Sequence, residues 1–314
     1  MAEDYSVVPL PPERQESVTL RIKINTPYSE IKGYLATLEG EMEKVNPNLD
    51  LLTSVCFELL CRLHLPIWQF TDGFVLRSRR NFNGEVFRRA AEISYNPFLD
   101  KIQHGRFNLA GEAVFYASLP LSSSSAQGYA GAICEASKEL FDTNSTERSY
   151  EFTVGRWSLA IPINVVVLTF CEPARKNCPD AMRIDQKFFR DMEKAMSADD
   201  FTIWKQFQEF FSKRAAQKQG TITSYLLTTA FFHALQQRYG DRLGILYSSS
   251  MTDNQGLNLV LTRSVIDAGH LVLEGANMIR CVRDPAKYTH YSIFPCSDFG
   301  VSDRSGQFAF SYIS

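Results

Sequence analysis

The chain has 314 residues, 45% hydrophobic and 22% charged, with a formal net charge of −2. That composition excludes a disordered or fibrous chain and supports a sizeable core, rich in its 23 Phe and 13 Tyr. Near-neutrality excludes a whole-chain pull toward nucleic acid or an anionic membrane, but leaves room for a local basic pocket. In chain order, residues 1–17, with Pro9, Pro11 and Pro12, read as a flexible lead-in. VTLRIKIN, over Val18–Asn25, alternates apolar and charged residues and predicts a half-exposed strand. Thr26 offers an N-cap and Pro27 a first helical position for a helix running to about Val45. A second apolar helix fits Leu49–Leu63, with Pro66 as its stop. Residues 1–78 are therefore expected to form a mainly helical N-terminal segment, a structural or dimerisation appendage to a domain over 79–314.

From Val86 the texture changes to short strands and turns. Strands are expected near Val86–Ala90, Ala113–Ser118, Tyr150–Val154 and Ile163–Phe170, with a small-residue helix over Gln127–Leu140. Helices follow at about Asp185–Met196, Phe201–Ala216 and Ser224–Tyr239. Strands return at Leu243–Ser248, Leu257–Leu261, His270–Val282, His290–Ile293 and Phe308–Ile313. The mixture is not a regular β-α-β alternation, so it predicts an α+β domain rather than a doubly wound sheet.

Several function classes drop out. No apolar stretch reaches the roughly 18 residues of a membrane span, and the N-terminus lacks the basic and apolar regions of a signal peptide. The seven cysteines include no C-x₂-C pair; read as reduced thiols they suit a cytoplasmic protein, with one disulfide in a secreted form as the alternative. The five histidines show no HExxH spacing, so no metal site is expected, and no G-x-G-x-x-G follows a strand to support redox use of a dinucleotide.

Four segments carry chemistry: Val86-Phe87-Arg88-Arg89-Ala90; His104-Gly105-Arg106-Phe107-Asn108 with Ala113-Val114-Phe115-Tyr116; Ala132-Ile133-Cys134-Glu135-Ala136; and Gly244-Ile245-Leu246-Tyr247-Ser248-Ser249-Ser250. In order and local context these resemble the RES family of NAD⁺-degrading toxins over roughly Val86–Leu261. The family pattern is an aromatic–arginine strand, a G-R-[FW]-N turn, a strand ending in tyrosine, a helix with a glutamate, and a late G-I-x-Y-x-S strand. The resemblance implies an ADP-ribosyltransferase-like mixed β core with flanking helices that cleaves NAD⁺ between nicotinamide and ribose. NAD⁺ is then the substrate, water or inorganic phosphate the acceptor, and no further cofactor is implied.

Carried over by position, Arg88 and Arg106 bind the dinucleotide, Tyr116 lines the nicotinamide side, Glu135 acts at the ribose and Ser249 completes the set. Arginine suits a diphosphate because its rigid fork matches phosphate oxygens. A carboxylate suits the positive charge that develops on the ribose carbon. Ser249 is expected to donate a hydrogen bond rather than attack, because no His–acid pair stands at a recognisable spacing. Arg89 and Ser248 remain alternatives to Arg88 and Ser249, and a serine-rich insertion, Leu119–Gln127, lengthens the step from Tyr116 to Glu135. A neutralising antitoxin or immunity protein is the partner implied, and a homo-oligomer stays open. Two other readings compete: an ADP-ribosyltransferase acting on a macromolecule, disfavoured by the lack of an E-x-E, and a silent NAD⁺- or ADP-ribose-binding module.

Overall fold

The computed structural model describes residues 26–120, 125–142, 144–218, 223–284 and 290–313. The strand expected over Val18–Asn25 lies outside them. The chain enters through α1 (Tyr28–Met42) and α2 (Leu49–Arg62). Pro27, not Thr26, occupies the cap of α1 and no side chain closes it, whereas the Asn48 side chain accepts from the Leu51 N–H and caps α2. Strands β1 (Ile67–Phe70) and β2 (Phe74–Asn81) follow, then short α3 (Ala90–Ile93). Next come β3 (Val114–Leu119), α4 (Ser125–Ala136), β4 (Ser149–Leu159) and β5 (Ile163–Leu168). A helical crossover of α5 (Glu172–Asn177), α6 (Pro179–Ala195), α7 (Ala198–Ala216) and α8 (Leu226–Tyr239) leads to β6 (Leu243–Ser248). The chain ends with β7 (Leu257–Thr262), α9 (Arg263–Asp267), β8 (Leu271–Arg283), β9 (Tyr291–Pro295) and β10 (Gly300–Val301).

The strands form one ten-stranded mixed sheet in the order β1-β5-β6-β7-β3-β2-β4-β8-β10, with β9 on β8. The fold class is α+β, as the irregular succession of elements implies. Among the described residues only β5 and β6 pair in parallel, the arrangement that demands a long crossover. That crossover brings an aromatic layer onto the sheet: Phe170, Trp204, Phe207, Phe211 and Phe231 are all buried. The aromatic run Phe201–Phe211 is thus a packing face, as its helical spacing predicts. Among the described residues, no helix is long and apolar enough to cross a membrane.

Three expectations are corrected. Val86–Arg89 is not a strand, because a turn with positive φ at Asn83 and Gly84 (52° and 78°) breaks the run and the Glu92 carboxylate then caps α3, accepting from the Arg88 and Arg89 N–H groups at 2.8 and 2.9 Å. Phe308–Ile313 makes only isolated bridges, Ser302 to Phe308 and Ser297 to Tyr312. The division after residue 78 falls inside β2, and the first elements share the main core through Ile31, Leu52 and Leu59. The Trp204 indole donates to the His64 carbonyl at 2.9 Å and the Tyr28 hydroxyl to the Gln206 side chain at 2.8 Å, stitching that segment to α7.

What positions the site is a break in this sheet. β2 pairs with β4 along its whole length, from Phe74 to Asn81, but meets β3 at one residue pair, Leu76 opposite Ser118. Beyond it the two strands part and leave a cleft.

Candidate active site

α4 reaches the edge of this cleft because its sequence is small. A Cβ added at Gly131 would stand 2.4 Å from Ser118 Oγ, and one at Gly128 would stand 3.0 Å from Pro120. The close approach carries Glu135, in the last turn of α4, to the cleft. There Glu135 Oε1 accepts from the Ser249 hydroxyl at 2.9 Å and from the Asn258 amide at 2.7 Å. Ser249 is wholly buried just past β6, and Asn258 sits on β7 opposite Tyr247. Both donors favour an ionised carboxylate and hold it in one orientation. Ser248, the alternative in the serine run, finds no hydrogen-bond partner for its hydroxyl among the described residues.

Tyr116, on β3, places its ring between two lobes of the cleft, of about 340 and 370 Å³. Its hydroxyl donates to Asn108 Oδ1 at 3.0 Å and accepts from the Phe107 N–H at 2.8 Å, so the phenol is fixed by the Gly105–Asn108 turn. A Cβ at Gly105 would lie 2.3 Å from Asn108 Oδ1 and 3.2 Å from the Tyr116 hydroxyl, so a larger residue would displace the side chains that fix the phenol. Burial pushes the Tyr116 hydroxyl well above its ordinary range, so it stays neutral. The Cys134 thiol, beside Glu135, is pushed up to about 12 by burial and by that carboxylate; it is no thiolate nucleophile at neutral pH.

The two arginines expected from the sequence are not equivalent. Arg106 is 8% exposed, on the wall of the second lobe. Its Nη1 donates to the carbonyls of Ala215 and Gln217 at 2.6 and 2.9 Å, and Nη2 to Ser250 Oγ at 2.5 Å. It therefore closes the C-terminal end of α7 and ties it to the serine run that bears Ser249. Arg88 stands outside the cleft: it is exposed, its guanidinium 4.6 Å from the Phe310 ring, and Arg89 beside it pairs weakly with Glu92 at 3.9 Å. The structure brings Arg106, Tyr116, Glu135 and Ser249 together and leaves Arg88 apart.

The cleft instead holds arginines of β2. Arg77 spans the gap, donating through Nη1 to the Tyr116 carbonyl at 2.6 Å and through Nε to the Ser94 carbonyl at 3.0 Å. Arg79 lines the first lobe and donates to the Glu92 carbonyl. Among the described residues no carboxylate forms an ion pair with either guanidinium. Burial and the neighbouring Arg79 lower Arg77 to about 10, so it keeps its proton at neutral pH while its charge is only partly compensated. Arg77, Asn96, Tyr116 and Glu135 border both lobes and form the waist between them.

No family model matches the chain, and no curated protein matches it. The site is therefore argued from its own chemistry. It has a carboxylate held by two donors, an aromatic floor, and two neighbouring guanidinium groups that have no carboxylate partner among the described residues. Among the described residues no three His, Cys, Asp or Glu side chains are grouped to hold a metal ion.

At the outer edge of the second lobe, Glu112 accepts from His233 Nε2 at 2.9 Å and from the Leu109 N–H at 2.8 Å. Burial raises its carboxyl, but these donors outweigh that and hold it below the usual range. Arg77 and Arg79 are the residues that sequence reasoning missed, and Asn258, which follows the serine run in the fourth segment, was given no role. A signal for Asn258 exists: it is the one amide in LNLVLT, a strand buried at every position, where a polar side chain needs a partner.

Proposed function

We propose that this chain cleaves the bond between nicotinamide and ribose in NAD⁺, on the ADP-ribosyltransferase-like scaffold that the RES resemblance implies. The observation that carries this reading is the Glu135 carboxylate, fixed by Ser249 and Asn258 at the waist of a two-lobed cleft beside two guanidinium groups. Nicotinamide leaves with the electron pair of the C–N bond, which neutralises its ring, and positive charge develops on the ribose carbon. Glu135 offsets that charge and can hold the adjacent ribose hydroxyl. Arg77 and Arg79 take the diphosphate, the role that the resemblance gave to Arg88 and Arg106, and Tyr116 gives the aromatic face. Arg106 acts by fixing the wall and the serine run, its donors being directed at protein acceptors.

Water or phosphate then bonds to the ribose carbon. With water a proton is released and ADP-ribose forms; with phosphate the product is ADP-ribose 1″-phosphate. Such an activity would deplete NAD⁺ in the cytoplasm as a toxin or defence effector, and calls for a neutralising antitoxin or immunity protein. Purified protein incubated with NAD⁺, with and without phosphate, tests the reading by product analysis. Nicotinamide release that Glu135→Ala abolishes is expected. NAD⁺ left intact under both conditions rules it out, and label retained on a macromolecule indicates transfer instead.

A further inference from the structure

The first lobe ends on an aromatic ring that adds little to the core. Phe82 is 54% exposed, yet it lines this cavity. Its inner face is occupied: the Arg80 guanidinium lies 4.5 Å from the Phe82 centroid and 4.7 Å from that of Tyr150. Arg80 is held in turn by Glu147 at 2.5 Å and Glu139 at 3.6 Å. The chain turns directly afterwards, with the Glu85 N–H donating to the Phe82 carbonyl at 2.9 Å. A ring backed on one side and open on the other is a platform for a second flat ring.

We infer that Phe82, with Arg80 behind it, is the platform for an adenine base, so that the first lobe receives the adenosine half of the substrate and the second lobe the nicotinamide half. This rests on the NAD⁺-cleavage reading. Charge sets the direction. The nicotinamide ring of NAD⁺ is a pyridinium cation, disfavoured on the Phe82 ring because the Arg80 guanidinium already lies against it at 4.5 Å. Adenine is neutral and stacks on an aromatic ring without that cost. In the second lobe Arg106 already faces the rings of Tyr225 and Tyr247, and the Tyr116 ring with the Glu112 and Glu135 carboxylates is what suits a cation there. The diphosphate then crosses the waist at Arg77. Phe82 makes the site selective for a dinucleotide over a mononucleotide.

The test compares NAD⁺ with nicotinamide mononucleotide, which carries the same scissile bond and no adenosine. In Phe82→Ala, the ratio of kcat/KM for NAD⁺ to that for the mononucleotide should fall about 5- to 150-fold, the range for loss of one base stack. Phe82→Trp should restore it. The side chain is exposed on a turn, so the alanine variant folds, and its circular dichroism should match wild type. An unchanged ratio overturns the inference. Calorimetry with ADP-ribose supplies a readout that needs no turnover: binding should weaken by the same factor in Phe82→Ala, and equal affinities overturn the platform. Wild-type protein that binds ADP-ribose, weakened by Phe82→Ala, but cleaves neither nucleotide would leave the platform standing and remove the catalytic reading alone.

Discussion

Replacing Arg106 with methionine keeps most of the stem and removes the fork. Three hydrogen bonds are lost, to the carbonyls of Ala215 and Gln217 and to Ser250 Oγ. A bond from a charged donor contributes roughly 1.5–3 kcal/mol, so the nominal sum is about 4–9 kcal/mol. Gln217 is half-buried, and water can serve its carbonyl, whereas Ala215 is wholly buried and its carbonyl has less recourse. A net loss of roughly 3–5 kcal/mol is expected, within the range for breaking a buried charged network. Urea unfolding followed by tryptophan fluorescence measures it. Arg106→Lys should recover less than half, because an ammonium cannot span three acceptors in a planar fork. A methionine variant within about 1 kcal/mol of wild type, with ADP-ribose affinity sharply reduced, would show that the guanidinium serves the ligand directly and refute the role assigned to it.

Two further predictions concern stability. Asp185 is wholly buried, its Oδ1 accepting from the Thr169 hydroxyl at 2.6 Å and its Oδ2 3.8 Å from Arg175; burial raises it to about 7 against that hydrogen bond and that charge. A carboxyl whose folded value lies above its unfolded value of about 3.9 costs stability as pH rises from roughly 4 to 7, here by roughly 4 kcal/mol. Urea titrations at several pH values should therefore find Asp185→Asn gaining on wild type through that window and level above it; a constant difference contradicts the assignment. Gly131→Ala should fail to deliver the gain of about 1 kcal/mol that alanine gives within a helix, because its Cβ would meet Ser118 Oγ at 2.4 Å. In a Ser118→Ala background the gain should return, and a full gain in the wild-type background would mean that α4 does not rest on β3 as described.

Where one face of an element is buried, the sequence announces it. Leu243–Ser248 was legible to the residue as a short run buried at every position, and α7 within a few residues because its apolar side chains recur at helical spacing; α8 was legible to a similar margin. β2 was not legible. Val75-Leu76-Arg77-Ser78-Arg79-Arg80 does not alternate, since the sheet opens beside it and arginines on both faces border the cleft. Val86-Phe87-Arg88-Arg89 drew the first arginine position instead. Its apolar-to-basic pattern imitates a strand end, and the cap that Glu92 forms over the Arg88 and Arg89 N–H groups has no strand-like signature. The convergence of Glu135 and Ser249 spans 114 residues and was read from the resemblance alone; composition and spacing hold nothing that pairs them.

The measurement closest to the central claim is single-turnover release of nicotinamide from NAD⁺ by wild type and by Glu135→Gln. Glutamine keeps the size of the side chain and a carbonyl that can accept from Ser249 and Asn258, while removing the negative charge. Release by wild type, slowed on the order of 10²–10³-fold in the variant with ADP-ribose affinity kept within about threefold, is the predicted result. Equal rates in the two proteins, or none in wild type, would contradict it.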